Sequence, residues 1–134
     1  MYLLDTNICI YAINGKYPSL TEHLLRISPD DIFVSSITAG ELEYGAAKSK
    51  WGERTRLTMT SFLANFTILP FTEKDAALFG TIRALLESNG TPIGILDLMI
   101  SAQGLSNKLT VVTHNVKEFN RIPGLQIEDW TAGE

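Results

Sequence analysis

The chain has 134 residues, 45% of them hydrophobic and 19% charged, with a formal net charge of −4 and a sequence pI near 5.1. That length suits one domain with a sizeable core, and the mixture excludes a disordered chain or a fibre. The acidic balance argues against indiscriminate adhesion to nucleic acid, yet it leaves room for a carboxylate site that stays acidic until a metal binds, with local cations guiding a phosphate backbone.

Taken in chain order, Tyr2-Leu3-Leu4 predicts a short apolar strand that ends at the capping cluster Asp5-Thr6-Asn7. A helix over 8–13 follows, stopped by Asn14-Gly15, and the single cysteine, Cys9, reads as a buried thiol within it. Pro18-Ser19 opens a second helix to about Arg26, and residues 32–35 form the next strand. Ser36 or Thr38 caps a helix through Glu41 toward Lys50, and another helix runs from about Glu53 to Ala64. Thr67-Ile68-Leu69 is the third strand. Thr72-Glu73-Lys74-Asp75 begins a long helix to Glu87, with Asn89-Gly90 as its stop. A further helix spans about 95–107, a strand rich in β-branched residues spans 109–113, 116–119 is a helical turn, and Leu125-Gln126-Ile127 is the final strand.

Strands alternating with helices predict an α/β fold, a mostly parallel central sheet covered on both faces, in which ligands gather beyond the carboxyl ends of the strands. Asp5 stands at such an end. No stretch approaches the ~20 apolar residues of a membrane helix, and the N-terminus lacks the pattern of a signal peptide, so a cytoplasmic protein with no membrane partner is expected.

Three acids stand out by their surroundings: Asp5 after Tyr-Leu-Leu, Glu41 beside Leu42, and Asp97 within Ile95-Leu96-Asp97-Leu98-Met99-Ile100. A helix so apolar on nearly every side is expected to be buried, and desolvating an ionised Asp there costs several kcal/mol unless something compensates it. The helix dipole offers Asp97 no more than about 1 kcal/mol at an exposed site. No Lys or Arg lies within local helical reach of any of the three acids. If they converge, each pair at ~4 Å repels by roughly 4 kcal/mol at an effective dielectric near 20. Mg²⁺, with Mn²⁺ as a substitute, is the economical cation for such hard oxygen ligands, and the scarcity of Cys and His argues against structural zinc. Capping is the competing role for Asp5, and position on the helix does not choose between Glu41 and Glu43. His114, after the fourth strand, reads as a surface imidazole or a substrate contact. Lys48, Lys50, Arg54 and Arg56 form the densest basic segment, either a solvated helix face or a guide for a phosphate backbone.

In order and spacing, the chain resembles the PIN-domain ribonucleases, specifically the VapC-type toxins of bacterial toxin–antitoxin modules. The resemblance is carried by Leu4-Asp5-Thr6-Asn7, Glu41-Leu42-Glu43-Tyr44-Gly45-Ala46, Pro92-Ile93-Gly94 with Asp97 and Ile100, and Val112-Thr113-His114-Asn115 with Glu118-Phe119. Pro123-Gly124-Leu125 and Glu128-Asp129-Trp130 add to it. It implies a three-layer α/β/α PIN-like fold, metal-binding carboxylates at Asp5, Glu41 and Asp97, and Glu41 rather than Glu43 as the family-like position. Where many PIN domains carry a fourth acid this chain has Asn115, which bears on a second metal. Glu118, three residues on, is a candidate to supply the missing charge directly or through water, its alternative being a first-turn helix acid. Thr6 and Thr113 are candidates to bond a ligand or phosphate, or else a cap and a strand residue.

The implied chemistry is metal-assisted hydrolysis of a phosphodiester by water, leaving a 5′-phosphate and a 3′-hydroxyl. The implied substrate is single-stranded or loop RNA, tRNA among the candidates. A homodimer and a cognate antitoxin that blocks the acidic site are the implied partners. Two rivals remain: a non-catalytic PIN-like module that binds RNA or protein, and a phosphatase or phospho-receiver using Asp5 as acceptor.

Overall fold

The computed structural model describes residues 1–132. Its five strands, β1 (Tyr2–Leu4), β2 (Ile32–Ser35), β3 (Thr67–Leu69), β4 (Thr110–Val112) and β5 (Ile127–Glu128), form one sheet in the order β3-β2-β1-β4-β5. Every pairing is parallel, with Leu4 opposite Val34 on one side and Val112 on the other. The chain therefore leaves β1 toward β2 on one side, and later returns to β4 on the other. That reversal opens a crevice at the carboxyl end of β1, the place where open parallel sheets bind ligands.

Seven helices cover the sheet: α1 (Thr6–Asn14), α2 (Pro18–Arg26), α3 (Ser36–Lys48), α4 (Gly52–Leu63), α5 (Glu73–Ser88), α6 (Ile95–Ser106) and α7 (Val116–Phe119). Alternation along β1 divides the core, because successive side chains of a strand point to opposite faces. Leu4 packs with Ile8 and Cys9 of α1, Leu20 of α2, Leu42 of α3 and Met59 of α4. Leu3 packs on the other face with Ile100 of α6 and Phe119 of α7, while Ile82 and Leu86 of α5 lie against Leu98. The layers are thus helix, sheet, helix, and Cys9 is fully buried as expected.

The local signals worked where the side chain itself closes a backbone group. Asp5 caps α1, which starts at Thr6 rather than Ile8, and Gly15 ends it in the left-handed region at φ 63°. Thr72 and Asp75 form a reciprocal capping box on α5. Two expectations are corrected. Ser35, rather than Ser36 or Thr38, caps α3, its hydroxyl accepting from the Ile37 amide at 2.9 Å. Ser36 accepts instead from the Phe71 amide at 3.1 Å. The last strand begins at Ile127, not Leu125, because Gly124 turns at φ 80° and the Leu125 amide still bonds back to the Ile122 carbonyl.

Candidate active site

Asp5 is fixed to the middle of the sheet. Its amide donates to the Val112 carbonyl at 3.0 Å, and its Oδ1 accepts from the Ile8 amide at 2.8 Å. The cap and the site share one residue, since capping engages only one of its two carboxylate oxygens. Asp5 is only 3% exposed. Burial is the main cause that raises its pKa from 3.8 to about 6, with the charges of Asp97 and Glu41 adding to the rise, while the Thr113 side chain and the Ile8 amide oppose it.

Glu41 is half-buried on α3, and its Oε1 accepts from the Thr6 hydroxyl. The Thr6 hydroxyl lies 3.0 Å from that of Thr38, a buried residue one turn before Glu41. Thr6 thus orients Glu41 instead of capping α1. Thr38 is the residue the sequence reading missed; its spacing of three from Glu41 on one helix face was the available signal. Glu43 points elsewhere, taking an ion pair from Arg56 at 2.9 Å on the exposed surface.

Asp97 departs from expectation. It is half-buried, and its neighbours Ile95 and Leu96 are each 42% exposed, so the first turn of α6 overhangs the edge of the site; from Leu98 to Gly104 the helix is buried, save for half-buried Met99. Burial still raises its pKa, followed by the charges of Glu118 and Glu41, and the Asn115 side chain works against the rise. Asn115 and Glu118 therefore both face Asp97. The Asn115 amide nitrogen also donates to the Thr113 hydroxyl oxygen at 2.9 Å, tying Thr113 to the same corner. The helix that begins after Asn115 is a single turn, which leaves little dipole for Glu118 to complement.

All seven candidate residues converge at the carboxyl edge of β1 and β4. Among the described residues, however, no three acids, histidines or cysteines stand close enough to make a ready ligand cage. The donor set nonetheless suits a hard divalent cation: oxygen ligands only, neighbouring carboxylates that add to the rise in the Asp5 and Asp97 pKa values, and, among the described residues, no Lys or Arg partner. Mg²⁺ commonly uses one or two carboxylates and completes its shell with water and substrate phosphate. Asp5 and Asp97 are the residues that could hold such a cation directly, with Glu41, already engaged by Thr6, contributing through water. Of the basic segment, Arg56 is spent on Glu43. Lys48 lies over the Tyr44 ring at 4.8 Å, and Lys50 and Arg54 lie near Trp51 at 5.4 and 6.0 Å. An apolar groove of about 400 Å³ between α1, α3 and α4 runs from Glu41 to Arg54.

The fold is an all-parallel five-stranded sheet with its acids gathered at the carboxyl end of the central strand. Residues 2–125 match the PIN domain family. The ribonuclease VapC2 of Rickettsia felis is 40% identical over 97% of this chain and 98% of its own length. The tRNA(fMet)-specific endonuclease VapC of Salmonella typhimurium is 41% identical over 96% of this chain and 97% of its own. Among solved structures, the DNA-bound VapBC complex of Salmonella typhimurium superposes with a TM-score of 0.91 at 41% identity, covering 96% of this chain and 97% of that one. The chain belongs to the PIN-domain family and, within it, to the VapC ribonucleases. Among the described residues no helix is long and apolar enough to cross a membrane.

Proposed function

We propose that the protein is a Mg²⁺-dependent endoribonuclease, the toxin of a toxin–antitoxin pair, acting in the cytoplasm on single-stranded or loop RNA, with tRNA the first substrate to try. The observation that carries this reading is the convergence of Asp5, Glu41 and Asp97, where burial and neighbouring carboxylates raise the Asp5 and Asp97 pKa values and no Lys or Arg among the described residues pairs with them. A bound divalent cation would neutralise that charge, polarise a phosphate oxygen and make water a better nucleophile.

The side chains supply the rest. Asp5 and Asp97 would hold the cation. Glu41, oriented by Thr6 and Thr38, positions the attacking water and takes its proton. Thr113 steadies Asp5, while Asn115 and Glu118 set the field around Asp97, Glu118 supplying the charge that Asn115 lacks. RNA approaches over Lys48, Lys50 and Arg54, the cations of the basic segment that no carboxylate pairs among the described residues. Exposed Leu85, Ile95 and Leu96 beside the site suit a homodimer contact. A cognate antitoxin is the expected partner, in keeping with the similar VapBC complexes of Rickettsia felis and Salmonella typhimurium, and the acidic site is the surface we expect it to cover.

The test is incubation of purified, partner-free protein with total RNA in Mg²⁺ or EDTA, beside the Asp5→Asn and Asp97→Asn variants. Cleavage in Mg²⁺ alone, lost in both variants, with 5′-phosphate ends, is expected. Cleavage that survives EDTA would sink the metal mechanism. Binding of RNA without cleavage would instead favour the non-catalytic module, and acid-labile phosphate on Asp5 the phospho-receiver.

A further inference from the structure

His114 lies between two residues of the site, yet its own side chain serves neither. Thr113 turns toward Asp5 and Asn115 toward Asp97. The His114 ring leans the other way, between Tyr11 at 6.2 Å and Tyr17 at 5.7 Å. Lys16 completes the cluster, its ammonium 4.9 Å from the Tyr11 ring centre and 5.4 Å from that of Tyr17. Among the described residues Lys16 has no carboxylate partner. The result is an exposed cation, two tyrosine rings and an imidazole side by side, one residue along the chain from the metal-binding corner.

The tautomer of that imidazole follows from its hydrogen bonds. Thr131 donates its hydroxyl proton to Asp129 Oδ1 at 2.6 Å and its amide proton to the same oxygen at 2.9 Å. Having spent its proton, the Thr131 hydroxyl oxygen accepts at 2.8 Å from His114 Nδ1, which also faces Asp129 Oδ2 at 3.2 Å. Nδ1 is therefore the nitrogen that carries hydrogen. In the neutral ring Nε2 is then an acceptor, and it has no partner among the described residues. The ring is half-exposed, and Asp129 sits on its Nδ1 edge, away from Nε2.

We propose that Lys16, Tyr11, Tyr17 and His114 form a subsite for the nucleotide that flanks the cleaved bond. Lys16 meets its phosphate, the tyrosine rings support the sugar and base, and His114 Nε2 accepts a hydrogen bond from the ribose 2′-hydroxyl. This rests on the RNA-cleaving reading above and explains how that site tells RNA from DNA, since the 2′-hydroxyl is the donor that DNA lacks. The hydroxyl is recognised rather than consumed, because water is the nucleophile.

The experiment uses an RNA oligonucleotide spanning a cleavage position mapped with the wild-type protein, together with versions carrying one 2′-deoxy sugar at each position near the cut. With wild type, one flanking position should lose about five- to tenfold in kcat/KM, the size of one hydrogen bond, mainly through KM. His114→Phe keeps the ring contacts and removes Nε2, so it should abolish that discrimination while still cutting all-ribose RNA. Thr131→Val loosens the Asp129 network but keeps Nε2, so it should lower Tm and retain discrimination. A role limited to clasping residues 129–131 onto β4 predicts instead that discrimination stays unchanged in His114→Phe while Tm falls in both variants, which would overturn the proposal. Wild-type cleavage with no His114-dependent position would overturn it while leaving RNA cleavage intact; absence of any RNA cleavage would remove both readings.

Discussion

The two walls of the acidic site are built in opposite ways. Asp5 grows out of the central strand, is 3% exposed, and has one oxygen committed to capping α1. Asp97 sits in the first turn of a helix whose neighbouring residues Ile95 and Leu96 face solvent, and its surroundings are other side chains, Asn115 and Glu118, rather than backbone. One wall is a charge held by main-chain hydrogen bonds, and the other a charge set among side chains. Fixed donors cost no reorganisation when charge develops, so the first wall is the better preorganised of the two.

The largest expected effect lies on the fixed wall. Asp5→Asn should reduce RNA cleavage by about a thousandfold or more, at the upper end for loss of one preorganised electrostatic group. Asp97→Asn should fall somewhat less far, measured in the same single-turnover assay. Equal losses would show that the two walls are equivalent in use despite their different construction.

The same carboxylate should oppose folding when no metal is bound. The folded protein holds the Asp5 proton up to about pH 6, against 3.8 for the ordinary group. Between those values the native state binds more protons than the unfolded chain, so stability falls as pH rises through that window and is flat above it. The separation corresponds to at most about 3 kcal/mol. In EDTA, denaturant unfolding should show wild type losing stability from pH 4 to 7, and Asp5→Asn losing less and ending up the more stable protein at pH 7. A wild-type profile that rises with pH would contradict the burial of this acid.

On the Asp97 wall the effect should be smaller. Glu118→Gln removes the charge that most raises the Asp97 pKa, and we expect about a tenfold loss of cleavage at limiting Mg²⁺ that shrinks as Mg²⁺ is raised. Asn115→Asp should lower the Mg²⁺ needed for half-maximal activity. If Glu118→Gln leaves the Mg²⁺ dependence unchanged, Glu118 plays no part in holding the cation.

Legibility in the sequence followed the range of the interactions. Strand β1, the cap at Asp5 and the capping box at Thr72 and Asp75 are local, and their residue types announce them. Asp97 was misread in one respect: an apolar run gives no sign that its first turn overhangs an edge, so half-burial was taken for full burial. The burial of Asp75, at 1% exposed, was equally invisible behind its capping pattern. Thr38 was legible only as a cap because its partner, the Thr6 hydroxyl, lies 32 residues away in the chain. The β5 start moved because a glycine turn held Leu125 outside the ladder.

The smallest expected effect distinguishes two glutamates that helix geometry alone could not separate. Glu41 and Glu43 stand two residues apart on α3, on opposite flanks of buried Leu42. Glu41 turns inward to the Thr6 hydroxyl and raises the pKa of both Asp5 and Asp97. Glu43 turns outward to Arg56, a partner thirteen residues away on α4 that no local pattern reveals. Both members of that pair are about half-exposed, so solvent screens it and its worth lies between 0 and about 1 kcal/mol. Glu43→Gln should therefore shift chemical denaturation by less than that and leave cleavage unchanged. Glu41→Gln should cut cleavage about a hundredfold with little change in fold stability. Arg56→Ala tests the same pair from the other side: it should match Glu43→Gln in stability, and any extra loss in RNA affinity would show that Arg56 reaches substrate despite its ion pair.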